Sequence, residues 1–152
     1  MAPPGLRGRF DLATNATAYL GETPETALYE AVMRREATSV SIKHLATLEL
    51  VGVQATGPFL LGDLRPFATG WPVLQSLRLS ETQDLADACF GSGLAGLMYR
   101  SAQQFGQDCI VLFDPPATLF KLAWHTYLVS SAGGLHRLAA ATASRSRVPL
   151  VP

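Results

Sequence analysis

The apolar and polar positions near the start of the chain predict a short strand followed by a helix. Residues 17–20 have the aromatic and β-branched content of a strand. Thr23, Pro24 and Glu25 then supply an N-cap, a proline at the first helical position and an acid in the first turn. We therefore expect a helix over residues 24 to about 35.

The apolar stripe of this helix consists of Leu28, Ala31 and Val32. Glu30 projects from nearly the opposite side of the helical wheel. We therefore expect Glu30 to lie outside the contact that the stripe makes with the core.

The pattern changes in the middle of the chain. Residues 45–53 are strand-like, whereas residues 57–72 are punctuated by glycine and proline and are predicted to form a long loop able to cover a pocket. That loop contains Asp63 and Arg65.

A second helix is predicted from the order Ser-Glu-Thr-Gln that starts at Ser80, which fits a capping box. Apolar positions continue it through Phe90, and Gly91 and Gly93 are expected to end it.

The last third of the chain predicts more strands. Residues 97–99 and 109–113 are apolar and strand-like, and residues 118–130 are rich in aromatic and β-branched side chains. Glycines 133 and 134 mark a turn, and residues 135–143 fit either a helix or a strand. We therefore expect an α+β fold in one domain over residues 1–152, in which helices cover a central sheet.

Composition narrows the possible partners. Twelve basic and twelve acidic side chains cancel, so no net charge draws in nucleic acid or an anionic membrane. No apolar run approaches the roughly 18 residues of a membrane span, and no signal-peptide pattern is present. A hydrophobic fraction of 48% against 16% charged residues indicates that a partner covers part of the surface, with a homodimer as one expectation.

Two cysteines among apolar neighbours and three scattered histidines lack the spacing of metal ligands, so no metal site is predicted. Unpaired buried thiols favour a reducing, cytoplasmic compartment, either in the producing cell or after delivery into a target cell.

Four residues carry candidate chemistry in order along the chain: Arg9, Tyr19, Glu30 and Ser101. Arg9 lies between a glycine and a phenylalanine, and Tyr19 precedes a leucine. Glu30 ends the run Thr-Ala-Leu-Tyr-Glu, and Ser101 stands in the run Gly-Leu-Met-Tyr-Arg-Ser-Ala. The ordered set resembles the RES domain, a family named for its Arg, Glu and Ser, from about residue 8 to residue 113.

The resemblance implies a toxin that consumes NAD and is restrained by a helix-turn-helix antitoxin. It also implies a fold like that of the ADP-ribosyltransferases, with a largely antiparallel sheet split around a pocket. NAD would be the substrate and not a retained cofactor, because no Gly-x-Gly-x-x-Gly fingerprint follows a strand.

Two departures from the family pattern affect the expected site. The family usually has an earlier strand with its own Arg, for which this chain begins too late. An Arg often follows the Ser-Ala pair, where this chain has Gln103. We therefore expect either a different site or a trimmed domain of a longer protein.

The resemblance implies a role for each residue. Arg9 is expected to clamp the diphosphate, Tyr19 to stack on a ring of NAD, and Ser101 to orient the substrate by hydrogen bonding. Glu30 is expected to stabilise positive charge at the anomeric carbon or to hold a ribose hydroxyl. Taken singly, each residue also fits a structural role: a solvated arginine, a half-buried strand tyrosine, an exposed helix carboxylate and a turn serine.

A rival site of another class combines Ser101, His125 and Asp114 as a hydrolase triad. Ser101 lacks the flanking glycines of a Gly-x-Ser-x-Gly nucleophile elbow, which argues against it.

The leading hypothesis is a toxin that cleaves the nicotinamide–ribose bond of NAD and passes ADP-ribose to water or phosphate. The alternatives are transfer of ADP-ribose to a protein side chain and a catalytically inactive interaction module. An antitoxin or immunity protein is the expected protein partner. We expect Glu30→Ala to remove activity and toxicity without unfolding the domain.

Overall fold

The computed structural model describes residues 8–75 and 79–152. The helices of this part of the chain are α1 (Pro24–Ala31), α2 (Ile42–Leu45), α3 (Leu79–Gly91) and α4 (Arg137–Ser146). The strands are β1 (Thr17–Gly21), β2 (Val40–Ser41), β3 (Glu49–Ala55), β4 (Leu61–Asp63), β5 (Gly96–Arg100), β6 (Asp108–Phe113), β7 (Phe120–Tyr127) and β8 (Leu150–Val151).

The largest sheet has four strands in the order β1-β6-β5-β4. β6 pairs antiparallel with both β1 and β5, whereas β4 pairs parallel with β5. The fold is thus a mixed α and β architecture with a mostly antiparallel sheet, as expected. The predicted strands at residues 17–20, 97–99 and 109–113 are confirmed as β1, β5 and β6.

Two smaller sheets accompany the central one. β3 and β7 form an antiparallel ribbon with an irregular register between Gly52 and Val53, and β2 pairs parallel with β8. The indole of Trp124 lies against Gly52, where an added Cβ would come within 2.3 Å of the ring. The strand predicted over residues 118–130 is confirmed as β7.

Apolar side chains gather in two clusters. One packs α1, α2 and α4 together around Leu28, Met33 and Leu45. The other lies on one face of the central sheet, where Leu97 and Val111 pack against residues that include Ala86 of α3. The expectation that helices cover the sheet therefore holds for this face through α3.

Helix α1 ends earlier than its sequence predicts. It stops at Ala31, and the amide of Arg35 donates to Oε1 of Gln103 at 2.7 Å. In a continued helix that amide would bond to the carbonyl of Ala31. A tertiary hydrogen bond therefore competes with helix propagation. The predicted stripe is also partly wrong, because Leu28 is buried but Ala31 is exposed.

Two predictions for the middle of the chain need correction. Residues 45–53 are not one strand, because α2 ends at Leu45 before β3 begins. Residues 57–72 are not a continuous loop, since they contain β4 and a 3₁₀ turn at Arg65–Phe67. β4 has only three residues, too few for a periodic signal, and its pairing with β5 establishes it.

The structure corrects the predicted start of α3 and decides between helix and strand for α4. α3 begins at Leu79, so Ser80 lies inside the helix and is not the cap of the predicted capping box. The helix ends as expected, with Gly93 in a left-handed conformation at φ +89°. Residues 135–143, which fitted either element, fall mainly in α4, and Gly133 adopts the positive φ of the expected turn.

Four charged residues form a hydrogen-bonded network at one end of β4, β5 and β6. Arg65 donates to both carboxylate oxygens of Asp63 and, at 2.8 Å, to Asp108. Asp108 also accepts from Arg100 at 2.5 Å. The network connects β4, β5 and β6 at the base of the turn that carries Ser101.

We expect Gly96→Ala to lower the free energy of unfolding by about 2 kcal/mol, because it overpacks a buried strand. An added Cβ would lie 2.1 Å from the carbonyl oxygen of Val111, which belongs to the paired backbone. Gly91→Ala is the matched control, since nothing lies within 4 Å of its Cβ position. Urea denaturation of both variants tests this, and equal midpoints would contradict it.

The Asp63–Arg65 pair predicts a pH-dependent contribution to stability. Hydrogen bonds from Arg65 lower the pKa of Asp63 from 3.8 to about 2. Because the folded pKa lies below the unfolded one, the stabilisation is present above about pH 4 and is lost as the pH falls toward 2.

The stability difference between the wild type and Arg65→Gln should therefore shrink from pH 5 to pH 3 in chemical denaturation. Arg137→Gln, on an exposed position of α4, should show no such narrowing. A constant difference for Arg65→Gln would argue against the pair.

Candidate functional site

Three of the four predicted residues meet between the two apolar clusters. Arg9 lies in the turn before β1, Glu30 on the last turn of α1, and Ser101 directly after β5. Their side chains contact one another although Glu30 and Ser101 are 71 positions apart in sequence. The tertiary structure thus brings together the Arg, the Glu and the Ser.

The Glu30 carboxylate is the centre of this arrangement. Its Oε1 accepts hydrogen bonds from Ser101 Oγ at 2.5 Å and from the amides of Ala102 at 3.1 Å and Gln103 at 3.4 Å. Its Oε2 lies 3.6 Å from Nη2 of Arg9. The side chain is 20% exposed. One carboxylate oxygen is therefore held by three hydrogen bonds, and the other faces the arginine, in a largely buried place.

Arg9 is buried, with 7% of its side chain exposed. Nη1 donates to the carbonyl of Leu74 at 2.8 Å, and the guanidinium lies 4.9 Å from the ring centroid of Tyr99. Among the described residues Nη2 has no hydrogen-bond partner. The alternative of a solvated surface arginine is therefore wrong, and the group is held in place with one N–H donor group unused.

Tyr19 is connected to the site through its hydroxyl. The hydroxyl donates to Oδ1 of Asp11 at 2.9 Å and accepts from the amide of Phe10 at 2.9 Å. Burial of this end, aided by the Asp11 carboxylate, raises the pKa of Tyr19 above its usual value, so the hydroxyl stays protonated. The residue as a whole is 38% exposed, although its hydroxyl is held by the turn that carries Arg9.

Ser101 has a single hydroxyl hydrogen, and the surrounding amides determine where it points. Its Oγ accepts from the amides of Gln103 at 3.1 Å and Gln104 at 2.8 Å. The hydrogen therefore goes to Glu30. Ser101 is 5% exposed, and this geometry makes it a support for the carboxylate.

Gln103, which replaces the family's arginine, is a structural connector in this chain. It is 7% exposed, its Oε1 accepts from the amide of Arg35, and its Nε2 donates to Glu36 at 3.2 Å. Gln104 adds a second link by accepting from Thr26 at 2.9 Å. The turn after β5 is thus joined to the first turn of α1 and to the segment that follows this helix, without a positive charge.

Buried groups near Glu30 include a thiol. Burial, with a smaller effect of Glu30, raises the pKa of Cys109 to about 12. The thiol therefore stays neutral at physiological pH and is a poor nucleophile. Among the described residues no cluster of three His, Cys, Asp or Glu forms a metal site.

The rival triad does not assemble. Ser101 donates to Glu30, Asp114 accepts from Asn15 at 3.1 Å, and His125 lies 3.6 Å from Glu49 on the β3–β7 ribbon. None of these contacts joins two members of the proposed trio.

The segment 57–72, expected to cover a pocket, does contribute to one, but not at Arg9. Arg65 lines a cavity of about 140 Å³ together with Leu20, Met98 and Ile110. These side chains alternate along their strands with Tyr19, Tyr99 and Val111, so the cavity is on the opposite face of the sheet from Arg9.

Sequence reasoning missed two residues of the site. Tyr99 supplies the ring under Arg9, and Asp11 holds the hydroxyl of Tyr19. Tyr99 lies on β5 two positions before Ser101, and alternate strand residues share a face, which is a sequence signal for it. Asp11 follows Arg9 by two positions in a turn, where no such period applies.

No helix within residues 8–75 and 79–152 has the length and apolarity to cross a bilayer. A family model for the RES domain matches residues 2–129 of the 152 residues. Comparisons with curated proteins and with solved structures give no match, so the likeness to the ADP-ribosyltransferase fold stays a prediction. The matched span and the meeting of Arg9, Glu30 and Ser101 lead to one conclusion: the chain belongs to the RES domain family.

Proposed function

We propose that this domain is a toxin that breaks the nicotinamide–ribose bond of NAD and passes ADP-ribose to water or phosphate. The observation that carries the proposal is the Glu30 carboxylate, largely buried and oriented by Ser101 and two backbone amides. A NAD-related activity is consistent with the RES family.

Glu30 suits a reaction in which positive charge develops on the ribose. When the C–N bond breaks, its electrons go to the nicotinamide ring, and the anomeric carbon becomes oxocarbenium-like. Because Oε1 accepts three hydrogen bonds, Oε2 is the oxygen left to face the ribose. Water or phosphate then adds to the anomeric carbon, and a water nucleophile loses a proton.

Arg9 cannot act as a bidentate donor to the diphosphate through both terminal nitrogens, because one of them is already engaged. Nη1 is committed to the carbonyl of Leu74, and Nη2 is buried without a hydrogen-bond partner among the described residues, so Nη2 is the group we propose to donate to a diphosphate or ribose oxygen once entry of the substrate uncovers it. Its charge also lies against Glu30 in a site with little water, where such interactions are strong. The exposed ring surface of Tyr19 would stack on a ring of NAD.

Consumption of NAD would make the domain toxic to the cell that contains it, and a protein antitoxin or immunity partner would then be needed to block it. Transfer of ADP-ribose to a protein side chain uses the same bond cleavage and differs only in the acceptor. A catalytically inactive interaction module would need none of the groups that converge on Glu30.

We expect Glu30→Gln to reduce nicotinamide release by at least about 100-fold, as loss of a charge-stabilising group does. Glutamine retains an oxygen that can accept from Ser101 and the two amides, so it tests charge better than alanine does. Glu25→Gln, on the same helix but paired with Arg145, is the matched control and should stay active. Chromatography of NAD, nicotinamide and ADP-ribose products with the purified domain gives the rates.

The products separate the three hypotheses. Free ADP-ribose or its phosphate ester supports the proposal, and label that remains on protein supports transfer to a side chain. If the wild type releases no nicotinamide and the NAD level is unchanged in cells that express it, the interaction module is the hypothesis that remains.

We expect Ser101→Ala to reduce the rate by about 10-fold, because one charge-assisted hydrogen bond to Glu30 is lost while two amides remain. Complete loss of turnover with a folded protein would instead assign Ser101 a direct chemical step. Ser92→Ala, which removes a hydroxyl that donates to the carbonyl of Cys89 at the end of α3, is the control in the same assay.

A further inference from the structure

Asp11 is a buried carboxylate that the reaction outlined above does not use. It is 5% exposed and belongs to the turn that carries Arg9. A buried charge is costly unless hydrogen bonds compensate it. The amide of Gly8 at 2.6 Å, Thr17 Oγ1 at 2.9 Å and the hydroxyl of Tyr19 at 2.9 Å all donate to it.

These contacts close a small ring around Arg9. The Tyr19 hydroxyl donates to Asp11 and accepts from the amide of Phe10. Gly8 lies so close that an added Cβ would be 2.5 Å from that hydroxyl. Gln83 of α3 donates to the carbonyl of Gly8 at 2.8 Å. The backbone on both sides of Arg9 is therefore tied to β1.

We propose that Asp11 is a positioning residue for NAD cleavage, which acts through Tyr19 and through the turn that presents Arg9. The inference rests on the proposed function for its catalytic consequence, although the hydrogen bonds exist without it. Asp11 sets the direction of the Tyr19 ring and the place from which the Arg9 side chain enters the site.

The three donors explain why the position carries a carboxylate. An ionised carboxylate has only acceptors, whereas an amide has one oxygen and one NH2 group. In Asp11→Asn the NH2 group would face the hydrogen of at least one of the three donors. The hydrogen bonds that hold the turn to β1 would therefore be weakened.

Asp11→Asn is expected to raise the KM for NAD by about 10-fold, since a misplaced binding group weakens the substrate complex. Tyr19→Phe should raise KM to a similar extent, and the double variant should be little worse than either single one, because both changes loosen the same link between the Arg9 turn and β1. Asp114→Asn is the control: Asp114 is exposed, lies outside the site and accepts from Asn15.

A merely structural role would give a different pattern. Loss of folded protein lowers kcat and leaves KM unchanged, and the effects of Asp11→Asn and Tyr19→Phe would then be additive. Either result would overturn the proposal.

Hydrogen exchange provides a readout that does not depend on activity. Asp11→Asn should speed exchange at the amides of Gly8 and Phe10, while exchange in β5 and β6 stays as in the wild type. If the wild type releases no nicotinamide, the proposed function fails while this measurement still tests the role of Asp11 in the turn. Unchanged exchange at both amides would refute that role. If Asp11→Asn does not fold, Tyr19→Phe replaces it, with faster exchange expected at Phe10.

Discussion

The hydrogen bonds between Glu30 and the turn after β5 are the contact on which the rest of the site depends. Ser101 and two backbone amides converge on one carboxylate oxygen. Gln104 adds a contact to Thr26 of α1, and Gln103 adds one to Arg35, beyond the end of that helix. These hydrogen bonds therefore join α1, which belongs to one apolar cluster, to the turn after β5, a strand that belongs to the other. The Glu30 carboxylate lies at the boundary between the two apolar clusters.

This location has electrostatic consequences. Arg9 is held against Glu30 by the carbonyl of Leu74 and the ring of Tyr99, with little exposure to water. Charges in such a place interact strongly because solvent screens them poorly. Such a fixed pair of charges is the kind of arrangement that the proposed reaction would require.

The central sheet separates two polar systems. On the face with Tyr99 and Val111 lie Arg9, Glu30 and the Asp11 turn. On the other face Arg65, Asp108 and Arg100 connect three strands at the base of the Ser101 turn. The Arg65–Asp108–Arg100 network holds together the strand ends that lead into the Ser101 turn. Both faces of the sheet therefore contribute to the geometry around Glu30.

Local signals in the sequence determined much of this protein. The start of α1, the strands β1, β5, β6 and β7, and the end of α3 follow from caps, glycines and apolar runs that act over a few residues. The ordered Arg9, Glu30 and Ser101 indicated the family and the candidate site. Tertiary structure alone decided where α1 ends, because Gln103 captures an amide that the helix would otherwise use. It also formed β4, buried Arg9 and recruited Asp11 and Tyr99. Each of these depends on a partner distant in sequence or on a packed surface, and a local pattern carries no information about contacts that exist only after the chain has folded.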